Sequence, residues 1–141
     1  MQLITPRDTV KTAAAKFTGD VYMTPIKTPT PPSRLVASLV RFTPAARTNW
    51  HAHAIGQTLY VTEGIGLIVS RDGTVVRVRA GDAVWTPPGE EHWHGGTATT
   101  MMCHISLIEV LEGSDGTSWL EPVTEVQFHA ANDNLDTREI L

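Results

Sequence analysis

The punctuation of this chain limits its fold more than any other feature. From Leu35 to Leu111, apolar and β-branched runs alternate with Gly, Pro and Asp, with almost no helical periodicity. The runs predict strands over 35–42, 58–63, 66–71, 74–79, 83–86, 92–95 and 99–111, separated by Pro44, Gly64, Asp72-Gly73, Gly81-Asp82 and Pro87-Pro88-Gly89. Asp72-Gly73 between two such runs predicts a hairpin closed by a type I′ turn, which needs positive φ. Many short, evenly spaced strands indicate an all-β sandwich or barrel.

The ends read differently. Residues 1–34 are rich in Thr and Pro, and Thr28-Pro29-Thr30-Pro31-Pro32-Ser33 cannot be helical, because proline lacks the donor and restricts its predecessor. An extended N-terminal arm is expected there, lying on the barrel or on a partner subunit. The barrel is expected over 35–120. Residues 121–141 form a C-terminal segment with one short helix over 121–131 and a frayed tail from Asn132. At 141 residues the chain fits one domain, large enough to bury a core without staples.

The formal net charge is -4 and the 11 Lys and Arg are scattered, so neither nucleic acid nor a membrane surface is an expected partner. Cys103 is the sole cysteine, which excludes an intrachain disulfide, and its neighbours Met101, Met102 and Ile105 predict a buried thiol. The N-terminus shows no apolar leader segment, so a cytoplasmic location is expected.

Six histidines carry the chemical signal: His51, His53, His92, His94, His104 and His129. Two pairs have His-x-His spacing, which in a strand turns both imidazoles of a pair to one face. Gln57 follows His53 at the start of the next run. Imidazole is the commonest biological ligand for first-row divalent ions, and three imidazoles with an amide oxygen leave positions open for substrate. One divalent ion per chain is therefore expected on His51, His53, Gln57 and His92.

These residues also carry a family resemblance. Trp50-His51-Ala52-His53-Ala54-Ile55-Gly56-Gln57 followed by Gly64 resembles the first motif of the cupins. Gly81-Asp82 through Pro87-Pro88-Gly89-Glu90-Glu91-His92 resembles the second. The resemblance spans about residues 35–111 and implies a cupin β-barrel of the jelly-roll type. Three positions depart from the motifs: Ala45 stands for Gly, Gly96 for Asn, and Gln57 for the usual Glu. The last leaves the ion's positive charge unneutralised, which favours polarising a bound oxygen.

A narrower resemblance joins the segment from Phe42 to His53, Gly56-Gln57-Thr58-Leu59, Gly89-Glu90-Glu91-His92-Trp93-His94-Gly95 and the strand from Thr99 to His104 to the bacterial cupin hydroxynitrile lyases. It implies manganese on three His and one Gln, with Fe, Zn, Ni and Co compatible with the same donors. It also implies cleavage of cyanohydrins to aldehyde and cyanide, typically with R selectivity. His94 and His104 fall on the family's further histidines near the metal and are the candidate catalytic bases or donors. His104 belongs to the alternating set Met102, His104, Ser106, Ile108. Ser38, Val40, Phe42, Leu59 and Ile108 are candidates for the substrate pocket, and no role falls to His129. Trp50, Trp85 and Trp93 are read as packing or interface residues, and Arg47 as a surface or subunit salt bridge. A small-molecule substrate and a homo-oligomer, dimer or tetramer, are expected. Two other functions fit the same barrel: a metal- and oxygen-dependent dioxygenase-like enzyme, and a non-catalytic module that binds a small ligand.

Overall fold

The computed structural model describes residues 1–133. Twelve strands and one helix are present among them: β1 (Val10–Lys11), β2 (Phe17–Thr18), β3 (Val21–Lys27), β4 (Leu35–Phe42), β5 (Arg47–Thr48), β6 (His51–His53), β7 (Gln57–Ser70), β8 (Val75–Arg79), β9 (Ala83–Thr86), β10 (His92–Gly96), β11 (Met102–Glu109), β12 (Thr117–Trp119) and α1 (Glu125–Asp133). Every pairing between them is antiparallel. The strands build two curled layers of an antiparallel barrel. One layer runs β1-β3-β4-β11-β7-β9, and the other joins β8, β7, β10, β5, β6, β2 and β12.

Strand β7 belongs to both layers. Its first half pairs with β11 and β9, and its second half with β8 and β10. The sequence suggested two strands interrupted at Gly64, whereas the chain bends there without stopping. Gly64 has φ of 77°, and a Cβ at this position would run into the Met101 carbonyl oxygen. The glycine is thus a crease that lets one strand turn the barrel's corner. Inside the fold, Val21, Val40, Phe42, Leu59, Val61, Ile68, Val78 and Met102 form one buried cluster. Alternation along β4, β7 and β11 supplies it, as period-two patterning requires.

The Asp72-Gly73 hairpin forms, with Val69 opposite Val75, but not through a type I′ turn. Only Gly73 has positive φ, at 95°. Gly73 N donates to Ser70 O at 3.0 Å and Ser70 N to Thr74 O at 2.9 Å, a longer loop ending in a left-handed glycine. Asp72 Oδ1 accepts from Thr74 N at 2.9 Å, so the aspartate acts through its side chain and not through its backbone angle.

Both ends hold more structure than expected. Within residues 1–34, β3 pairs with β4 from Val21↔Phe42 to Lys27↔Ala37, so the sheet begins before Leu35. Helix α1 starts at Glu125, four residues later than predicted. Thr124 caps it: Gln127 N donates to Thr124 Oγ1 at 3.1 Å, and Thr124 N to Gln127 Oε1 at 2.9 Å. Asn132 and Asp133, expected in a frayed tail, end the helix instead, and Asn132 Oδ1 accepts from Ala98 N at 2.9 Å. The rest of that tail lies outside the described residues. Phe128 and Ala131 pack with Trp50, Leu67, Val69 and Trp93 in a second buried cluster beneath the helix.

Candidate metal centre and histidine pair

The metal candidates meet because two short strands face each other. His51 and His53 occupy alternate positions of β6, and β10 pairs His92 directly opposite His51. Gln57 opens β7. The ligand atoms of His51, His53 and His92 all lie within 4.8 Å of one another, and all three residues are buried. Gln57 joins them, with Oε1 3.0 Å from His92 Nε2.

Each imidazole is held from behind. His51 Nδ1 lies 2.9 Å from Asn49 O and His92 Nδ1 2.9 Å from Glu90 O. His53 Nδ1 lies 3.0 Å from the Thr117 hydroxyl. A carbonyl only accepts, so His51 and His92 carry their proton on Nδ1 and leave Nε2 as a bare lone pair. Gln57 Nε2 donates to Ser106 Oγ at 2.9 Å, which points its Oε1 at His92 Nε2. Two acceptors therefore face each other at 3.0 Å, and His53 Nε2 is buried without a well-formed hydrogen bond. A cation among these atoms resolves both problems, so the donor set fits a divalent ion.

Burial keeps these groups neutral. It pushes His51 well below its ordinary pKa, with His92 adding to the effect, and lowers His53 to about 4, again with help from His92. His92 is lowered by burial as well. Their lone pairs are thus free at neutral pH.

Behind the cluster, His94 and His104 form a pair. His104 Nε2 lies 3.1 Å from His94 Nδ1, and the His94 ring sits 5.2 Å from that of His51. Phe42 packs against both rings of the pair. His94 Nε2 and His104 Nδ1 are buried without partners. Burial lowers His94 far below its usual value, with His104 contributing, and lowers His104 to about 3. One shared proton sets both tautomers. When His94 Nδ1 donates, His94 Nε2 is a bare lone pair; when His104 Nε2 donates, His94 Nε2 carries hydrogen.

The five pocket candidates share the barrel's inner face with this pair. Register places Val40 opposite His104, and Ser38 and Leu59 opposite Ser106. Val40, Phe42 and Leu59 are buried in the core cluster, whereas Ser38 and Ile108 are half-buried. Arg47, read from the sequence as a surface or subunit salt bridge, pairs with Glu125 of its own chain, and its guanidinium is buried. It is 2% exposed, reaches Glu125 at 2.8 Å and Val123 O at 3.1 Å, and lies over the Phe128 ring, so it latches α1 to β5. His129 lies on α1, exposed, 3.6 Å from Glu125. Trp93 and Trp50 are buried, and Trp85 is 57% exposed.

Sequence reading missed the residues behind the ligands. Ser106 could have been found, since it alternates with His104 along β11. Thr117 and Trp119 gave no signal, because a three-residue strand carries no periodicity.

Comparison with known proteins agrees with this fold. The family described as "Cupin domain" matches residues 38–110. The (R)-mandelonitrile lyase of Granulicella tundricola is 43% identical over 112 residues, covering 79% of this chain and 85% of that one. A cupin-like protein from Thermotoga maritima superposes with a TM-score of 0.82 at 31% identity, over 87% of this chain and 92% of that one. A polyketide cyclase from Streptomyces resistomycificus gives 0.70 at 19% identity over 96% and 98%, a likeness of fold alone.

Proposed function

This chain belongs to the cupin family, and from that premise we propose that it is a metal-dependent lyase of the hydroxynitrile type, cleaving a cyanohydrin to an aldehyde and hydrogen cyanide. One observation carries the reading: a neutral ligand set of three imidazoles and an amide stands beside a buried histidine pair whose outward nitrogen has no partner. The likeness to an (R)-mandelonitrile lyase supports the substrate class.

His51, His53, Gln57 and His92 would hold the ion, with manganese as the proposed metal. When bound, it supplies Lewis acidity toward a substrate oxygen, undiminished by any carboxylate in the set. The histidine pair handles the proton. His94 Nε2, as a bare lone pair, accepts the substrate's hydroxyl proton. The O–H electrons form the carbonyl, the C–C bond breaks, and its electron pair leaves with cyanide. His94 then returns the proton from Nε2 to give hydrogen cyanide. His104 supports the accepting tautomer of His94 when its own Nε2 takes the hydrogen of His94 Nδ1 across the 3.1 Å contact. Phe42 and Leu59 exclude water from the proton's path, and Ser38 and Ile108, half-buried on the same face, would meet the substituent of the aldehyde.

A homo-oligomer belongs to the same proposal. The outer face of the first layer exposes Tyr22, Leu35, Tyr60 and Trp85, apolar surface that a second copy would cover. Sedimentation that gave the mass of one chain would refute it.

The test of activity is release of cyanide and benzaldehyde from the two mandelonitrile enantiomers by manganese-loaded protein, in air and under nitrogen. Faster consumption of the R enantiomer, equal in both atmospheres, is expected. No release with any metal, or release only in air, would overturn the lyase reading.

A further inference from the structure

Two ligands are oriented by backbone carbonyls, Asn49 O and Glu90 O, which no substitution deletes. His53 differs, because a side chain orients it. That side chain is Thr117, on β12, beyond the residues 38–110 that match the family. Strand β12 pairs with β6 in the register Thr117↔His53 and Trp119↔His51. Directly opposite residues of an antiparallel pair present their side chains on one face, a few ångströms apart. A three-residue strand therefore stands behind two of the three metal-binding imidazoles.

We propose that Thr117 and Trp119 are positioning residues for the metal centre: Thr117 selects the tautomer of His53, and Trp119 fixes the ring plane of His51. The proposal rests on the reading of His51, His53, Gln57 and His92 as a metal centre.

If Nε2 is to be the lone pair that faces the ion, His53 must carry its hydrogen on Nδ1, and the Thr117 hydroxyl at 3.0 Å is the acceptor placed to take it. Without that acceptor, a buried Nδ1–H would be unsatisfied, and the alternative tautomer would put hydrogen on the nitrogen that must bind the ion. The Trp119 indole stacks on His51 with centroids 4.7 Å apart and planes 26° from parallel, which blocks rotation of the imidazole about its Cβ–Cγ bond. Phe17 backs the indole at 5.6 Å, and the Lys16 ammonium lies 5.4 Å over it.

Strand β12 is itself fixed at both ends. Thr117 N donates to Asp115 Oδ1 at 2.9 Å, and Ala54 N to Gly116 O at 2.8 Å. Leu120 N donates to Trp50 O at 2.8 Å, and Trp50 N to Glu121 O at 3.0 Å. These bonds hold β12 in register with the ligand strand, so its two side chains are braced and not merely adjacent.

The test is titration of metal-stripped full-length protein with Co(II), followed by calorimetry and tryptophan emission, for wild type, Thr117→Val, Thr117→Ser and Trp119→Phe. Thr117→Val keeps shape and removes the acceptor, so Co(II) affinity should fall by about tenfold or more, within the range seen for lost outer-shell partners. Thr117→Ser restores the hydroxyl and should recover most of that affinity. Co(II) should quench part of the wild-type emission, and Trp119→Phe, which keeps a stacked ring, should bind the ion without that quench. Undiminished affinity in Thr117→Val, no recovery in Thr117→Ser, or an unchanged quench in Trp119→Phe would overturn the proposal. If wild type bound no Co(II), the metal centre itself would fall, and the positioning role with it.

Discussion

Lowering the pH of the metal-free protein should destabilise it steeply, and His104 sets a measurable part of the slope. The group is fully buried, and its folded pKa is lowered from 6.5 to about 3 by burial. Because the folded pKa is depressed, the unfolded chain takes up the proton first as pH falls. The stability tied to the neutral form is complete above pH 6.5 and is lost progressively from there toward pH 3. Between pH 7 and pH 5 this single site removes about 2 kcal/mol. For a chain of this size that is roughly 4–8 °C of melting temperature. His51, His53, His92 and His94 are also lowered and act in the same direction. The comparison that isolates His104 is urea unfolding of metal-free wild type and His104→Gln at pH 7, 6 and 5. The variant starts less stable, since it loses the contact to His94, but should lose about 2 kcal/mol less than wild type over that interval. Parallel pH dependence in the two proteins would refute the assignment of a buried neutral imidazole to this position.

Other consequences follow from the same geometry. His51→Ala and His92→Ala should each retain almost no manganese after dialysis, read by elemental analysis, while wild type keeps its ion. Arg47→Met removes the guanidinium that lies over Phe128 together with three hydrogen bonds, to Ala45 O, Val123 O and Glu125, and should cost about 2–4 kcal/mol in urea unfolding. Gly64→Ala places a Cβ against the Met101 carbonyl at a φ of 77° and should cost about 3 kcal/mol or more, seen as a fall in melting temperature. His104→Ala should lower kcat for mandelonitrile by about 100-fold with metal content preserved, since proton transfer contributes on that scale.

The barrel was legible because its strands are separated by residues whose backbone demands are local. Alternation along β4 and β11 placed Val40, Phe42 and His104 on one face, and the structure puts them there. The meeting of His51, His53, Gln57 and His92 was legible too, because the two His-x-His pairs fix which face each imidazole takes once their strands are neighbours. What stayed hidden depends on long-range contact. Gly64 read as a break, yet only the barrel's curvature decides whether a positive-φ glycine ends a strand or creases it. Arg47 read as a surface or subunit salt bridge, because its partner Glu125 lies on α1, almost eighty positions later in the chain. Strand β12 is too short for a pattern, and its importance comes entirely from the register that sets Thr117 and Trp119 across from two ligands.

The proposed lyase reaction requires one ion on this site together with the histidine pair. The most direct measurement is stepwise addition of Mn(II) to stripped protein under nitrogen, with the initial rate of cyanide release from (R)-mandelonitrile recorded at each step. The expected rate is near zero without metal, rises linearly and breaks at one ion per chain. A rate indifferent to metal, or no rate at full occupancy, would contradict the proposed reaction.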